Sequence, residues 1–167
     1  MEWGANSMYY YLAFDQASGT TGYSIFTDDG LVKYGKFSTK GHDFLEKVTE
    51  TCDFIEGIVK EFQERGKVEV HLEDIQLQAN AKTYKQLAQL QGAISDRLRN
   101  KLNVEIEDFT LASVWKSTSN VRGKNRTEQK RNAQRIVLEE FGVAVTQDEA
   151  DAILLGKHVS SQGFNWA

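Results

Sequence analysis

Asp15 closes an apolar run, Tyr9-Tyr-Tyr-Leu-Ala-Phe-Asp15, and Glu73 closes another, Val68-Glu-Val-His-Leu-Glu73. Asp148 and Asp151 open a late helical pattern, Asp148-Glu-Ala-Asp-Ala-Ile-Leu-Leu155. A carboxylate at the end of a buried strand is costly unless something pairs with it. If the fold gathers these three places, the natural partner is a hard divalent cation held by oxygen ligands. The chemistry that follows is metal-assisted hydrolysis of a phosphodiester. Each acid taken singly has a plainer role. Asp148 and Asp151 suit the positive end of a helix, Asp15 suits a turn before Gly19, and Glu73 suits a strand-end surface charge. The four together are not explained that way.

A second group of residues carries the opposite charge. Between Ser113 and Arg135 stand Lys116, Arg122, Lys124, Arg126, Lys130, Arg131 and Arg135, against Glu128 as the one acid. The whole chain has a formal net charge of −4, so the remainder is strongly acidic. A basic run is usually a solvated face. With Gly123 and Asn125 inside it, this one points to phosphate contact, since a local basic patch can steer a polyanion onto an acidic protein.

The elements that must position these groups are legible from periodicity. Met8–Phe14, Tyr23–Thr27 and Leu31–Ser38 read as strands, separated by Ala17-Ser-Gly-Thr-Thr-Gly22 and Asp28-Asp-Gly30, which makes an antiparallel meander. Phe44, Leu45, Val48, Cys52, Ile55, Val59 and Phe62 then recur at helical steps, opened by Asp43 or His42 and closed near Gly66. Val68, Val70 and Leu72 alternate in a strand ending at Glu73. A helix is expected from about Ala81 to Lys101, with Tyr84, Leu87, Leu90, Ile94 and Leu98 on its apolar face. Val104–Phe109 reads as a fifth strand. A short helical turn (Leu111–Trp115), the basic loop, a helix over Thr127–Phe141 and a last helix from Asp148 complete the order β-β-β-α-β-α-β-α-α. That order predicts one five-stranded mixed α/β sheet, three antiparallel strands then crossover strands, with helices on both faces. Asp15 and Glu73 share a rim if the first and fourth strands are neighbours.

The bulk composition excludes several classes. With 167 residues, 40% hydrophobic and 26% charged, the chain is expected to form a single domain over 8–167. Residues 1–7 precede a second methionine and are expected to be a leader or tag. No apolar run approaches a membrane span, and no secretory pattern follows Met1, so a cytoplasmic protein of a bacterial or phage-infected cell is expected. His42, His71 and His158 show no zinc-ligand spacing with one another or with Cys52. The single Cys52 lies on the apolar side of its helix and reads as a small core hydrophobe.

The ordered acids, with their strand and helix contexts, resemble the RuvC-like Holliday junction resolvases of the RNase H-like superfamily. Members carry an Asp on the first strand, a Glu ending the fourth and an Asp-x-x-Asp pair opening the last helix. Asp15, Glu73, Asp148 and Asp151 match these positions, with Glu149 the odd residue between the pair. The likeness runs from about Leu12 to His158 and includes the helix around Asn80–Gly92. It implies an RNase H-like fold and an endodeoxyribonuclease that resolves Holliday junctions by paired nicks. It also implies two Mg²⁺ ions per site, for which Mn²⁺ would substitute, held by the four matched acids. Family members place lysines after the fifth strand and at the start of the next helix. Those roles fall to Lys116 and to Lys130, with Arg126 or Arg131 as the alternative for the second. Arg122 and Lys124 would grip the DNA backbone in a salt-dependent way. Two symmetric nicks imply a two-fold homodimer, with the helix over about Ala81–Lys101 and its neighbours as candidates for the interface. Where some cellular members have an aromatic after the catalytic Glu, this chain has Gln76. That departure suggests a phage-type enzyme acting on several branched DNAs.

Three rival readings remain open at this level. Leu12-Ala-Phe-Asp-Gln16 with Gly19-Thr-Thr-Gly22 resembles the phosphate-binding hairpin of sugar kinases, but the chain has no room for the second domain they need, so no nucleotide cofactor is expected. A nuclease acting on RNA–DNA hybrids would share the metal chemistry. A catalytically silent nucleic-acid-binding module would not need all four acids.

Overall fold

The computed structural model describes residues 8–76 and 80–162. The expected leader, residues 1–7, and the last five positions of the expected domain lie outside the described residues. Three strands open the chain: β1 (Met8–Asp15), β2 (Thr20–Thr27) and β3 (Gly30–Ser38). Then come α1 (Phe44–Gln63), β4 (Gly66–Glu73), α2 (Ala81–Leu102) and β5 (Ile106–Thr110). Three helices follow, α3 (Ala112–Thr118), α4 (Arg126–Phe141) and α5 (Gln147–Ser161). The sheet order is β3-β2-β1-β4-β5. β1 is antiparallel to β2 and parallel to β4, and β4 is parallel to β5. This is the mixed sheet expected, with β1 and β4 adjacent.

Alternation along β1 divides the protein into two cores. Tyr10, Leu12 and Phe14 face α1 and α2, packing with Ile55, Val59, Phe62, Leu90, Ile94 and Leu98. Cys52 is buried in the same core, and that burial pushes its thiol pKa up. Tyr11 and Ala13 face the other way, onto Trp115, Val137, Ile153 and Leu154. Continuing the alternation puts Asp15 on this second face, beneath α5. Parallel neighbours end at the same rim, and Phe14 pairs with Leu72. Asp15 and Glu73 therefore emerge side by side, at the carboxyl ends where open α/β sheets bind their ligands.

Small residues bring α5 down onto this rim. Asp15 pairs with Gly22 across β1 and β2, and a Cβ on Gly22 would collide with the backbone carbonyl of Asp148. Ser24 Oγ donates to the Ala152 carbonyl at 2.6 Å, and Gly156 lies against Ser24 and Phe26. Only side chains this small let a helix approach a sheet backbone so closely. The result is that the start of α5 hangs over the end of β1.

Several boundaries differ from the sequence reading, each for a local reason. α1 is capped by Asp43, whose side chain accepts from the Glu46 amide at 2.8 Å, and His42 stands outside it. Val104 lies just past the end of α2 and outside β5. Asn103 takes a left-handed conformation (φ 55°), and the Val104 amide returns to the Leu98 carbonyl. Val104 is thereby buried as the apolar contact of a helix stop, and β5 starts two residues later. Tyr84 is exposed and Leu87 lines a cleft, so the core-facing stripe of α2 begins at Leu90. α5 begins at Gln147, with Thr146 as its cap.

Candidate active site

A cleft of about 520 Å³ opens where the ends of β1 and β4 meet the starts of α4 and α5. Asp15, Glu73, Asp148 and Asp151 all line it, as do Lys116, Arg126 and Lys130. The three places in the sequence that carry the acids are thus brought together. Arg122, Lys124 and Arg131 are exposed and stand outside the cleft wall. Of the two alternatives to Lys130 for the second basic role, Arg126 shares the cleft and Arg131 does not.

Burial and mutual repulsion dominate the electrostatics. Asp15 has its pKa raised well above the carboxylate range. Burial is the largest cause, followed by a hydrogen bond to Glu73 and by the charges of Glu73, Asp151 and Asp148. The Asp151 carboxyl is pushed up to about 7, first by burial and then by Glu73. Lys116 and Lys130 oppose that rise and Asp148 adds to it, the value of about 7 being the net of all of them. Both lysines therefore act on Asp151 without cancelling the rise. Clustered acids that cannot all ionise mark a site whose charge balance is completed by something else.

The local sequence explains the placement of each group. Glu149 makes a capping box with Thr146: its amide donates to Thr146 Oγ1 at 3.4 Å, and its Oε1 accepts from the Thr146 amide at 3.0 Å. The odd acid of the cluster thus caps the helix, which leaves Asp148 and Asp151 free of that duty. Asn125 caps α4, accepting from the Glu128 amide at 2.9 Å, which sets Arg126 and Lys130 one turn apart. On α3, Lys116 Nζ rests 5.6 Å from the centroid of the Trp115 ring and donates to Gln129 Oε1 at 3.4 Å.

Two residues of the cleft were not anticipated. Trp115 is fully buried, and its Nε1–H donates to Glu73 Oε1 at 3.0 Å. Gln16 donates from Nε2 to the Glu73 backbone carbonyl at 2.8 Å. Glu73 is thus held by one neutral donor on its side chain and another on its backbone. The signals were present, since a buried Trp needs an acceptor for its N–H and Gln16 directly follows Asp15. Neither names its partner without the fold.

The donor set suits a hard cation: four carboxylates and an amide, all oxygen, with Cys52 in the opposite core. As they stand, no three His, Cys, Asp or Glu side chains among the described residues converge on a single ion-holding point. A cation between the acids would offset their mutual repulsion.

The fold and the acidic rim define an RNase H-like domain. The solved structure of T. thermophilus RuvC in complex with Holliday junction substrate superposes with a TM-score of 0.70 at 12% identity, over 92% of this chain and 96% of that one. The Thermus thermophilus RuvC structure gives 0.66 at 13% identity, over 92% and 95%. Residues 11–156 match the family model of crossover junction endodeoxyribonuclease RuvC. A curated relative of that name from Campylobacter lari is 31% identical over 112 residues, 65% of this chain and 68% of that protein. The chain belongs to the RuvC family and is an endodeoxyribonuclease.

Proposed function

We propose that the protein resolves Holliday junctions, and other branched DNA, by metal-dependent hydrolysis of paired phosphodiesters. The observation that carries this reading is the pair of raised carboxyls, Asp15 and Asp151, within one cleft also walled by Lys116 and Lys130. Asp15, Glu73, Asp148 and Asp151 would hold two divalent cations, Mg²⁺ with Mn²⁺ as substitute. Bound there, the ions would supply an activated water and charge stabilisation for the leaving oxygen.

The chain's own residues do the rest. Trp115 and Gln16 fix Glu73, so that its carboxylate meets the ions in one orientation. Lys116, steadied by the Trp115 ring and Gln129, faces the scissile phosphate and offsets its growing charge. Lys130 does the same from α4, with Arg126 beside it. Arg122, Lys124 and Arg131 extend the basic surface along the DNA backbone, where contacts give affinity and no sequence information. A junction has two-fold symmetry and needs two nicks, so the working unit is a homodimer.

The test is cleavage of a labelled four-way junction in Mg²⁺, beside a linear duplex, a three-way branch and an RNA–DNA hybrid. Paired nicks in the branched DNAs, lost in Asp15→Asn, are expected. Preferential cutting of the hybrid would replace this reading with a hybrid nuclease. Binding without cutting, indifferent to metal, would make the acids structural.

A further inference from the structure

Gln16 has an atom that its surroundings do not satisfy. Of the four buried side-chain atoms without a hydrogen-bond partner among the described residues, Gln16 Oε1 alone belongs to a residue of the cleft wall. Gln16 is only 7% exposed, so bulk water does not serve as its partner. The orientation of the amide is settled by its other end. Nε2 donates to the Glu73 carbonyl at 2.8 Å, and reversing the amide would set oxygen against oxygen. A buried amide oxygen without a partner is costly, and such groups in folded proteins generally have an explanation.

We propose that Gln16 Oε1 is a neutral oxygen of the divalent-cation site, facing the ion or a water of its hydration shell. The inference rests on the metal reading above. Hard cations accept amide carbonyl oxygens beside carboxylates. A neutral donor also suits this place, because a further charge would add to the repulsion that already raises Asp15 and Asp151. Gln16 then joins two duties in one side chain. Nε2 locks the end of β4, and Oε1 completes the ligand field beside Asp15.

Calorimetric titration with Mn²⁺ alone, on the full chain without DNA, separates the two ends of the amide. Gln16→Met removes both the donor and the oxygen, while Gln16→Glu keeps an oxygen and loses the donor. Gln16→Met is expected to weaken Mn²⁺ binding by about ten- to a hundredfold, the usual cost of removing a supporting group at a metal site. Gln16→Glu is expected to bind at wild-type strength or tighter. Equal weakening in both variants would place the whole effect in the Nε2 bond to Glu73 and overturn the proposal. So would two variants that bind like wild type. Asp15→Asn serves as the reference: if it leaves Mn²⁺ binding intact, the metal reading itself falls and takes this inference with it. Thermal melts of the metal-free variants establish that each one folds.

Discussion

Glu69 and Glu73 stand on the same face of β4, and the protein treats them in opposite ways. Glu69 lies in a small second pocket of about 250 Å³ with His71, Glu107, Asp108 and His158. Its carboxylate accepts from the Tyr9 hydroxyl at 2.8 Å and meets His71 Nε2 at 2.6 Å. Both oxygens are therefore served, and only His71 Nδ1 in this network lacks a partner. Glu73 has the Trp115 indole on one oxygen and the raised Asp15 carboxyl beside it. Asp148 and Asp151 crowd the same space. Burial of an acid is thus no mark of function by itself. The mark is burial among like charges, where the fold supplies too few partners and leaves the balance to a ligand.

Substitutions can break this contrast at either end. Asp15→Asn should have the largest effect, lowering junction cleavage by about three orders of magnitude, on the order of 4 kcal/mol of barrier. The same change should raise the melting temperature of the metal-free protein, because it removes a member of a repelling cluster. A variant that loses activity and stability together would mean that Asp15 is held by partners as Glu69 is.

Trp115→Phe keeps the packing and deletes the donor to Glu73. Metal affinity and cleavage should fall by about ten- to a hundredfold, read by titration and by single-turnover rates. Glu69→Gln, the matching change in the second pocket, should leave both at wild-type levels. Glu69→Leu should act on stability instead. It removes the Glu69 partner of the buried His71 Nε2, at a cost of about 1–3 kcal/mol, measured by denaturant unfolding. The cleavage rate at saturating metal should not change.

The smallest effect is a slope. Asp151 titrates near 7 in the folded protein, against 3.8 as its ordinary value. Between those values the native state holds a proton that the unfolded chain has released. That contribution to stability is full below about 4 and is lost as pH rises through about 7. The melting temperature of metal-free protein should decline across this window, and saturating Mg²⁺ should flatten the decline, since the cation replaces the proton. Melts at a series of pH values, with and without the ion, check it. An unchanged slope in Asp151→Asn would assign the decline to other groups.

Much of the fold was legible because its signals are local. The alternation in β1 and β4, the helical steps from Phe44 to Phe62 and the Asp28-Asp-Gly30 turn each show within a short window. The errors came where a residue's fate is set by something distant. Val104 has strand character, but the left-handed Asn103 folds it back onto α2. Tyr84 lies close to helical phase with Leu98, yet no residue of α2 before Leu90 is buried. Glu149 could not be separated from its acidic neighbours until its bond to Thr146 was visible.

The sequence by itself determined which residues could do chemistry: four acids at element ends and a basic segment, in an order that matches one family. It determined this because charge next to apolar periodicity is a local cost that can be read from residue types alone. Tertiary structure decided which charges share a cleft, with Lys130 and Arg126 inside and Arg122, Lys124 and Arg131 outside. It decided that Trp115 and Gln16 hold Glu73 across long stretches of chain. It also decided that α5 reaches the rim, through Gly22 and Gly156. Such contacts depend on where strands pair and how closely backbones approach, and no window of sequence encodes a distance between remote residues.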